Sequence, residues 1–164
     1  MKKVFKVSFV CLGNICRSPL AHGVFETLLK REGMDNAIFS SSAGVSHWHI
    51  GEPPDLRMQE TAKSKGIVLN SLGRQFQPRD FTEYDLVLAM DHSNLAALRK
   101  MHPGGAPDDQ LMLFRVFDPE SNGDLDVPDP YYGGQQGFEN VFRMVDRTCP
   151  KILAHIKSRL ATAP

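Results

Sequence analysis

The chain lacks several features that would assign it to a common class. It carries 19 basic and 19 acidic residues, so its formal net charge is zero and bulk charge indicates no nucleic acid partner. No apolar run is long enough to cross a membrane, and none precedes the small-residue cleavage site of a secretory leader. The GxxxxGKS/T and GxGxxG patterns are both absent, which excludes the two common nucleotide-binding loops.

Cysteine is also scarce, with three among 164 residues. An odd number, two of them close together at Cys11 and Cys16, does not suit a disulfide scaffold, so we expect a reducing, cytoplasmic compartment. His47 and His49 have no third ligand at a useful spacing, so no metal or other cofactor is expected. Without repeats or linkers, a chain of this length predicts a single domain over residues 1–164.

What is present is concentrated in residues 4–19. An apolar, β-branched and aromatic run predicts a buried strand. Gly13 and Asn14 are the residues that most easily adopt positive φ, and they predict a tight loop at its end. Ser18 is predicted to be a helix N-cap, with Pro19 at the first helical position. A strand, a short loop and a helix start direct backbone N–H groups at one point, which is the layout of a phosphate site.

The loop begins with Cys11 and ends with Arg17. A ring of N–H donors, a helix N-terminus and an arginine would favour the thiolate over the thiol. The same donors bind a phosphate dianion, and the planar guanidinium matches two phosphate oxygens. The alternative is that Cys11 is a small core residue, the usual fate of a buried cysteine. The strand before it and the Ser-Pro pair after it favour a nucleophile within an anion cradle.

The remainder of the chain divides into alternating helices and strands. Helices are predicted over residues 19–32, 55–65, 91–101 and 137–160, the last kinked or divided at Pro150, and further strands over 37–42, 85–90 and 111–114. This alternation predicts a doubly wound α/β domain with its site at the carboxyl edge of the first strand. Asp91 and His92 follow another strand at that edge, where they could bind a ligand or cap a helix.

Residues 118–134 form an acidic segment punctuated by proline, DPESNGDLDVPDPYYGG. Most such segments are solvated surface loops. A cysteine that displaces an oxygen leaving group from phosphorus nevertheless needs an acid to protonate that oxygen, and an aspartic acid on a stiff loop can supply it. The residues alone leave four nearly equal candidates, Asp118, Asp124, Asp126 and Asp129.

The sequence CLGNICRSP near the N-terminus resembles the signature of the low-molecular-weight protein tyrosine phosphatases, and later landmarks fit that family over nearly the whole chain. The resemblance implies a four-stranded parallel sheet flanked by helices, a phosphate-binding loop after strand 1 and a metal-free phosphocysteine mechanism. The loop residues that it implies at the phosphate are Leu12, Gly13, Asn14, Ile15, Cys16 and Ser18.

The same resemblance assigns roles outside the loop. Asp129-Pro130-Tyr131 matches the family's general-acid motif, which selects Asp129 among the four aspartates. Tyr131 and Tyr132 would supply aromatic surface for the substrate ring. Trp48, which the sequence alone leaves as core filler or cleft wall, corresponds to an aromatic residue that lines the cleft.

Three further residues concern the support and the redox chemistry of the loop. Ser42 matches a serine that hydrogen-bonds the loop asparagine, here Asn14. Ser71 stands where many relatives carry a histidine, so we expect the network behind the loop to be altered. Cys16 could merely pack beneath the loop, but the family commonly pairs this position with Cys11. The resemblance therefore implies a disulfide that traps oxidised Cys11.

Together these observations predict hydrolysis of phosphotyrosine in proteins or peptides, with inhibition by phosphate and other oxyanions. A phosphoarginine phosphatase is an alternative, but those relatives carry threonine where Ile15 stands. Arsenate reductases with this loop need two further downstream cysteines, and only Cys149 follows. A phosphotyrosine-binding module needs no nucleophile, and a thiol redox sensor could coexist with catalysis.

Overall fold

The computed structural model describes residues 3–102 and 104–163, excluding the side chain of Tyr132. The strands are β1 (Phe5–Cys11), β2 (Ile38–Gly44), β3 (Leu86–Ala89) and β4 (Leu111–Leu113). The helices are α1 (Arg17–Arg31), α2 (Leu56–Ser64), α3 (Asp80–Glu83), α4 (His92–Met101) and α5 (Gly134–Thr162), with 3-10 turns at Phe114–Phe117 and Pro130–Tyr132. The strands form one parallel sheet in the order β2-β1-β3-β4.

Strand β1 lies in the interior of the sheet, between β2 and β3. Its side chains are almost all buried, as expected for a strand of a parallel sheet that is covered on both faces. Its last residue, Cys11, pairs in register with Gly44 at the end of β2. The predicted α/β fold, with a parallel four-stranded sheet and a loop after the first strand, is therefore confirmed.

Two apolar clusters cover the two faces of the sheet. The larger contains Phe9 of β1, residues of α1 and much of α5, and Phe9 makes edge-to-face contacts with Phe25 and Phe114. The smaller contains Val10 together with residues from β3, α3 and α4. Because adjacent β1 residues belong to opposite clusters, packing on both faces fixes the strand that ends at Cys11.

Several sequence expectations need correction at the local level. Helix α1 begins at Arg17 with Cys16 as its N-cap residue, so Ser18 lies inside the first turn and is not the cap. Gly13 does not adopt positive φ, whereas Asn14 does, at 60°. Pro150 does not divide the C-terminal helix, since α5 continues through it.

Within the described ranges, no helix is long and apolar enough to span a membrane.

Candidate active site

The loop between β1 and α1 is shaped by close backbone contacts. Asn14 occupies the left-handed region, which asparagine tolerates better than most residues with a side chain. Gly44 lies directly against the loop, because a Cβ added there would be 2.8 Å from the carbonyl oxygen of Leu12 and 3.1 Å from the nitrogen of Asn14. The end of β2 thus supports the loop from behind, and only glycine leaves room for it.

The sulfur of Cys11 has one polar neighbour in this loop and another in the first turn of α1. The backbone N–H of Asn14 donates to Sγ at 3.3 Å, and Ser18 Oγ lies 3.0 Å from the same sulfur. Donors directed at a sulfur stabilise its anionic form. Ser18 therefore contacts the nucleophile that the sequence predicts, instead of capping the helix.

A buried network holds the Asn14 side chain. Its Nδ2 donates to Ser18 Oγ at 2.8 Å and to Ser42 Oγ at 3.0 Å, so the predicted contact between Ser42 and Asn14 is present. Its Oδ1 accepts from the backbone N–H of Arg74 at 2.9 Å. Ser71 lies instead beside a separate surface pocket along α1. The backbone of Arg74, which no sequence pattern distinguishes, completes the support.

Arg17 is buried, and acidic and carbonyl groups surround it. Its NH1 donates to Asp91 Oδ2 at 2.7 Å and to the carbonyl oxygen of Val127 at 2.9 Å, and its NH2 lies 3.7 Å from Asp129 Oδ2. Burial disfavours the charge, but Cys11, Asp91 and Asp129 outweigh it and raise the pKa of the guanidinium further. Asp91 also caps α4 by accepting from the N–H of Asn94 at 2.7 Å, so helix capping, one of the two roles that the sequence left open, is confirmed.

The structure separates the four candidate aspartates. Asp118 is buried in ion pairs with Arg115 and Arg147, and their hydrogen bonds lower its pKa to about 2 against the opposing effect of burial. Asp126 pairs with His92 at 2.6 Å, and Asp124 accepts from the backbone of residue 126. Of the four, Asp129 lines the pocket that contains Cys11.

That pocket has a volume of about 210 Å³ and opens at the carboxyl edge of β1. It is lined by residues of the phosphate-binding segment and by four residues from elsewhere in the chain. The first group is Cys11, Leu12, Gly13, Ile15, Cys16 and Arg17, and the second is Trp48, His49, Asp129 and Tyr131. Trp48 is 63% exposed, so the core-filler interpretation is wrong. Tyr131, although distant from Trp48 in sequence, lines the same pocket. The side chain of Tyr132 is outside the described part of the structure.

His49 also borders the pocket, although the sequence suggested it only as a weak metal ligand. Its Nδ1 lies 2.5 Å from Glu52 Oε2, and a Cβ on Gly13 would be 3.0 Å from its ring. In the described ranges, no group of three or more His, Cys, Asp or Glu side chains is arranged to hold a metal ion. The His49 ring therefore lies beside the phosphate-binding loop at Gly13. This contact joins residues that are distant in sequence, so local sequence patterns do not predict it.

All three cysteines are free and buried. Cys16 lines the pocket together with Cys11, but burial and nearby acidic groups raise the pKa of the Cys16 thiol. Burial likewise raises the pKa of Cys149, which packs within the larger apolar cluster. Because the thiolate is the reactive form, Cys11 is the cysteine best placed to act as a nucleophile.

The fold and this cysteine-centred loop define a phosphatase-like α/β domain, and comparison with known proteins identifies the family. The family model for low molecular weight phosphotyrosine protein phosphatase matches residues 6–162. A low molecular weight protein-tyrosine-phosphatase of Streptomyces coelicolor is 41% identical to this chain. The alignment covers 95% of this chain and 96% of the relative. The chain therefore belongs to the low molecular weight phosphotyrosine protein phosphatase family, a family of hydrolases.

Solved structures agree with this assignment. The crystal structure of YfkJ from Bacillus subtilis superposes with a TM-score of 0.88 at 37% identity, covering 96% of this chain and 97% of that one. The structure of DARP, a Drosophila arginine phosphatase, superposes with a TM-score of 0.85 at 32% identity, covering 93% and 98%. The fold is thus shared by proteins whose names indicate two different phosphorylated side chains.

Proposed function

We propose that this protein hydrolyses phosphotyrosine in proteins or peptides, and aryl phosphates in general, through a cysteinyl-phosphate intermediate. The observation that carries the proposal is that Cys11, Arg17 and Asp129 border one pocket. These residues supply a nucleophile, a fixed positive charge and an acid. No step in the proposed reaction requires a cofactor.

In the first step, the Cys11 thiolate attacks phosphorus in line with the phenolic oxygen. The S–P bond forms as the P–O bond to the phenol breaks. Loop N–H groups and the Arg17 fork would stabilise the equatorial oxygens, and Asp91 holds that fork by its 2.7 Å hydrogen bond. Asp129 donates its proton to the leaving oxygen, whose conjugate acid is a phenol with a pKa near 10.

In the second step, water attacks the phosphorus of the cysteinyl phosphate. The Asp129 carboxylate takes a proton from that water, the S–P bond breaks, and inorganic phosphate and the Cys11 thiolate are released. Ser18, with its hydroxyl oxygen 3.0 Å from the sulfur, would stabilise the departing thiolate. The cycle returns both Cys11 and Asp129 to their starting protonation states.

The apolar surface of the pocket favours a planar aromatic substrate. Ile15, Trp48 and Tyr131 all line the pocket, and aromatic rings bind well against such surfaces. The likeness to the Drosophila arginine phosphatase keeps phosphoarginine as the second candidate. The bulky apolar side chain of Ile15 argues against phosphoarginine. The cationic guanidinium group of that substrate would lose hydration beside Ile15 without gaining a compensating partner.

Partners and location follow from the same chemistry. Phosphotyrosine-containing proteins or peptides would be the substrates, and inorganic phosphate and related oxyanions would compete for the loop. The three free cysteines suit a reducing compartment, so a cytoplasmic location stays our prediction. A thiol redox response of Cys11 and Cys16 could coexist with hydrolysis, because both residues border the pocket.

The proposal is tested by measuring initial rates on phosphotyrosine, phosphoarginine and arsenate under identical conditions. We expect phosphotyrosine to be hydrolysed with the highest kcat/KM and arsenate not to be reduced. An Ile15→Thr variant provides the matched comparison for phosphoarginine hydrolysis, because it introduces the residue that phosphoarginine phosphatases carry. A higher kcat/KM for phosphoarginine than for phosphotyrosine in the unmodified protein would overturn the assignment.

A further inference from the structure

Arg57 lies outside the group of Cys11, Arg17 and Asp129, yet it is anchored to the phosphate-binding loop. Its Nε and NH2 donate to the two carboxylate oxygens of Asp55 at 3.2 and 3.0 Å. Asp55 also caps α2 by accepting from the N–H of Arg57 at 2.8 Å. The backbone N–H of Asp55 in turn donates to the carbonyl oxygen of Ile15 at 2.8 Å. The guanidinium is therefore held at a fixed position relative to the loop.

The faces of the same guanidinium contact aromatic rings. Its central carbon lies 5.3 Å from the centroid of the Tyr131 ring and 4.7 Å from that of Phe138. Phe138 is fully buried in the first turns of α5, whereas Tyr131 is 41% exposed at the pocket. A cation held over a ring in this way restricts the ring. Arg57 thus joins the partly exposed Tyr131 ring to a rigid part of the core.

The backbone of Tyr131 is hydrogen-bonded to the side chain of Asp129, the proposed acid. Its backbone N–H donates to Asp129 Oδ1 at 3.0 Å, while Asp129 Oδ2 lies 3.7 Å from Arg17 NH2. The contacts form a closed path that leaves the phosphate-binding loop at Ile15 and returns to it at Arg17. Arg57 is the member of this path that connects α2 to the segment carrying Asp129.

We propose that Arg57 is a positioning residue that fixes the Tyr131 ring, and through it the Asp129 carboxyl, relative to the phosphate-binding loop. The proposal rests on the proposed function, since it assigns a role to Arg57 in the protonation of the leaving group. Lysine cannot replace it, because an ammonium group cannot bind a carboxylate with two parallel hydrogen bonds while presenting a planar cation to the aromatic rings.

The test compares unmodified protein with Arg57→Gln and Arg57→Lys on two substrates. The phenolate of phenyl phosphate needs protonation as it leaves, whereas the p-nitrophenolate of p-nitrophenyl phosphate can leave without it. We expect kcat/KM for phenyl phosphate to fall about tenfold in both variants, equivalent to about 1.4 kcal/mol. The value for p-nitrophenyl phosphate should fall no more than about threefold, because only the ring contact is lost. Equal losses on the two substrates, or full recovery with lysine, would overturn the proposal.

Two further measurements separate this proposal from a general structural role and from the proposed function. Arg147→Gln is the matched control. Arg147 also binds a carboxylate, that of Asp118, through two nitrogens, but it does not line the pocket. This substitution should lower stability without changing the ratio of the two kcat/KM values. In an Asp129→Ala background, only the ring contact is left to lose, so Arg57→Gln should cause no more than about a threefold further loss on phenyl phosphate; a full tenfold further loss would contradict the proposal.

Binding provides a readout that does not depend on turnover. Calorimetric titration should show that Arg57→Gln weakens phenylphosphonate, which contacts the ring wall, while leaving inorganic phosphate within about twofold. Unchanged affinity for phenylphosphonate would contradict the role assigned to Arg57. If the unmodified protein shows no activity on either aryl phosphate, the proposed function fails, whereas an active protein with an unchanged Arg57→Gln variant refutes this inference alone.

Discussion

Asp118 offers a quantitative test of how the structure separates the acidic residues. Burial alone would raise its pKa, but hydrogen bonds from Arg147, the backbone of Glu120 and Arg115 lower it from 3.8 to about 2. At about 1.36 kcal/mol for each pKa unit, this difference corresponds to about 2 kcal/mol of stability at neutral pH. We therefore expect Asp118→Asn to lower the free energy of unfolding by at least about 2 kcal/mol, because it also leaves the buried Arg115 less well paired.

The sign of the effect determines its pH dependence. A carboxylate whose pKa is lower in the folded state contributes stability above its unfolded pKa of 3.8. That contribution is lost as the pH falls towards about 2, so roughly half of the ionisation-linked part should remain at pH 3. Urea denaturation of the variant and the unmodified protein at pH 7 and at pH 3 measures both quantities. Asp124→Asn is the control, because its side chain is 72% exposed and its removal should cost less than about 1 kcal/mol.

Two results would refute this reasoning. One is a loss of stability for Asp118→Asn that is no larger than for Asp124→Asn. The other is a loss that does not shrink between pH 7 and pH 3. The folded variant should also keep the leaving-group dependence of the unmodified protein, because Asp118 pairs with Arg115 and Arg147 away from Cys11.

Three further predictions concern the pocket. Arg17→Lys should lower kcat/KM about 100-fold or more because the two-point contact with phosphate is lost, and steady-state kinetics will contradict this if the loss is below tenfold. Asp129→Ala should slow phenyl phosphate about 100-fold but p-nitrophenyl phosphate much less, and should remove one limb of a bell-shaped pH profile; an equal loss on both would exclude Asp129 as the acid. Peroxide should inactivate the protein reversibly, and Cys16→Ser should recover poorly with dithiothreitol; intact mass spectrometry that shows oxygen on Cys11 and no Cys11–Cys16 disulfide would contradict the trap.

The sequence predicted those parts of the site that lie within one local segment. Cys11, Asn14 and Arg17 belong to a continuous strand, loop and helix start, so their spacing specified their relation to one another. The four strands were also predicted, because apolar runs separated by turn residues mark them directly. The N-cap position predicted for Ser18 was wrong by two residues, because α1 begins at Arg17. The Ser18 hydroxyl instead lies within hydrogen-bonding distance of Cys11 and Asn14.

Residue patterns alone did not predict which distant residues tertiary contact brings to the loop, although the family resemblance selected Ser42, Trp48, Asp129 and Tyr131. Arg74 supports Asn14 across 60 positions through a backbone N–H, a group that every residue but proline possesses. Asp91 reaches Arg17 across 74 positions, and its sequence context was equally consistent with helix capping. Among the acidic residues, composition could not separate Asp118 from Asp129, because the difference lies in whether arginines or an open pocket surround each carboxyl group.

The central claim is that Cys11 carries the phosphoryl group during turnover. The direct measurement is to mix the protein with phenyl phosphate labelled at phosphorus, quench within the first turnovers and map the labelled peptide. The account predicts label on Cys11 in the unmodified protein and none in Cys11→Ser, which should still bind inorganic phosphate. Label on another residue, or single-turnover hydrolysis by Cys11→Ser, would contradict the account.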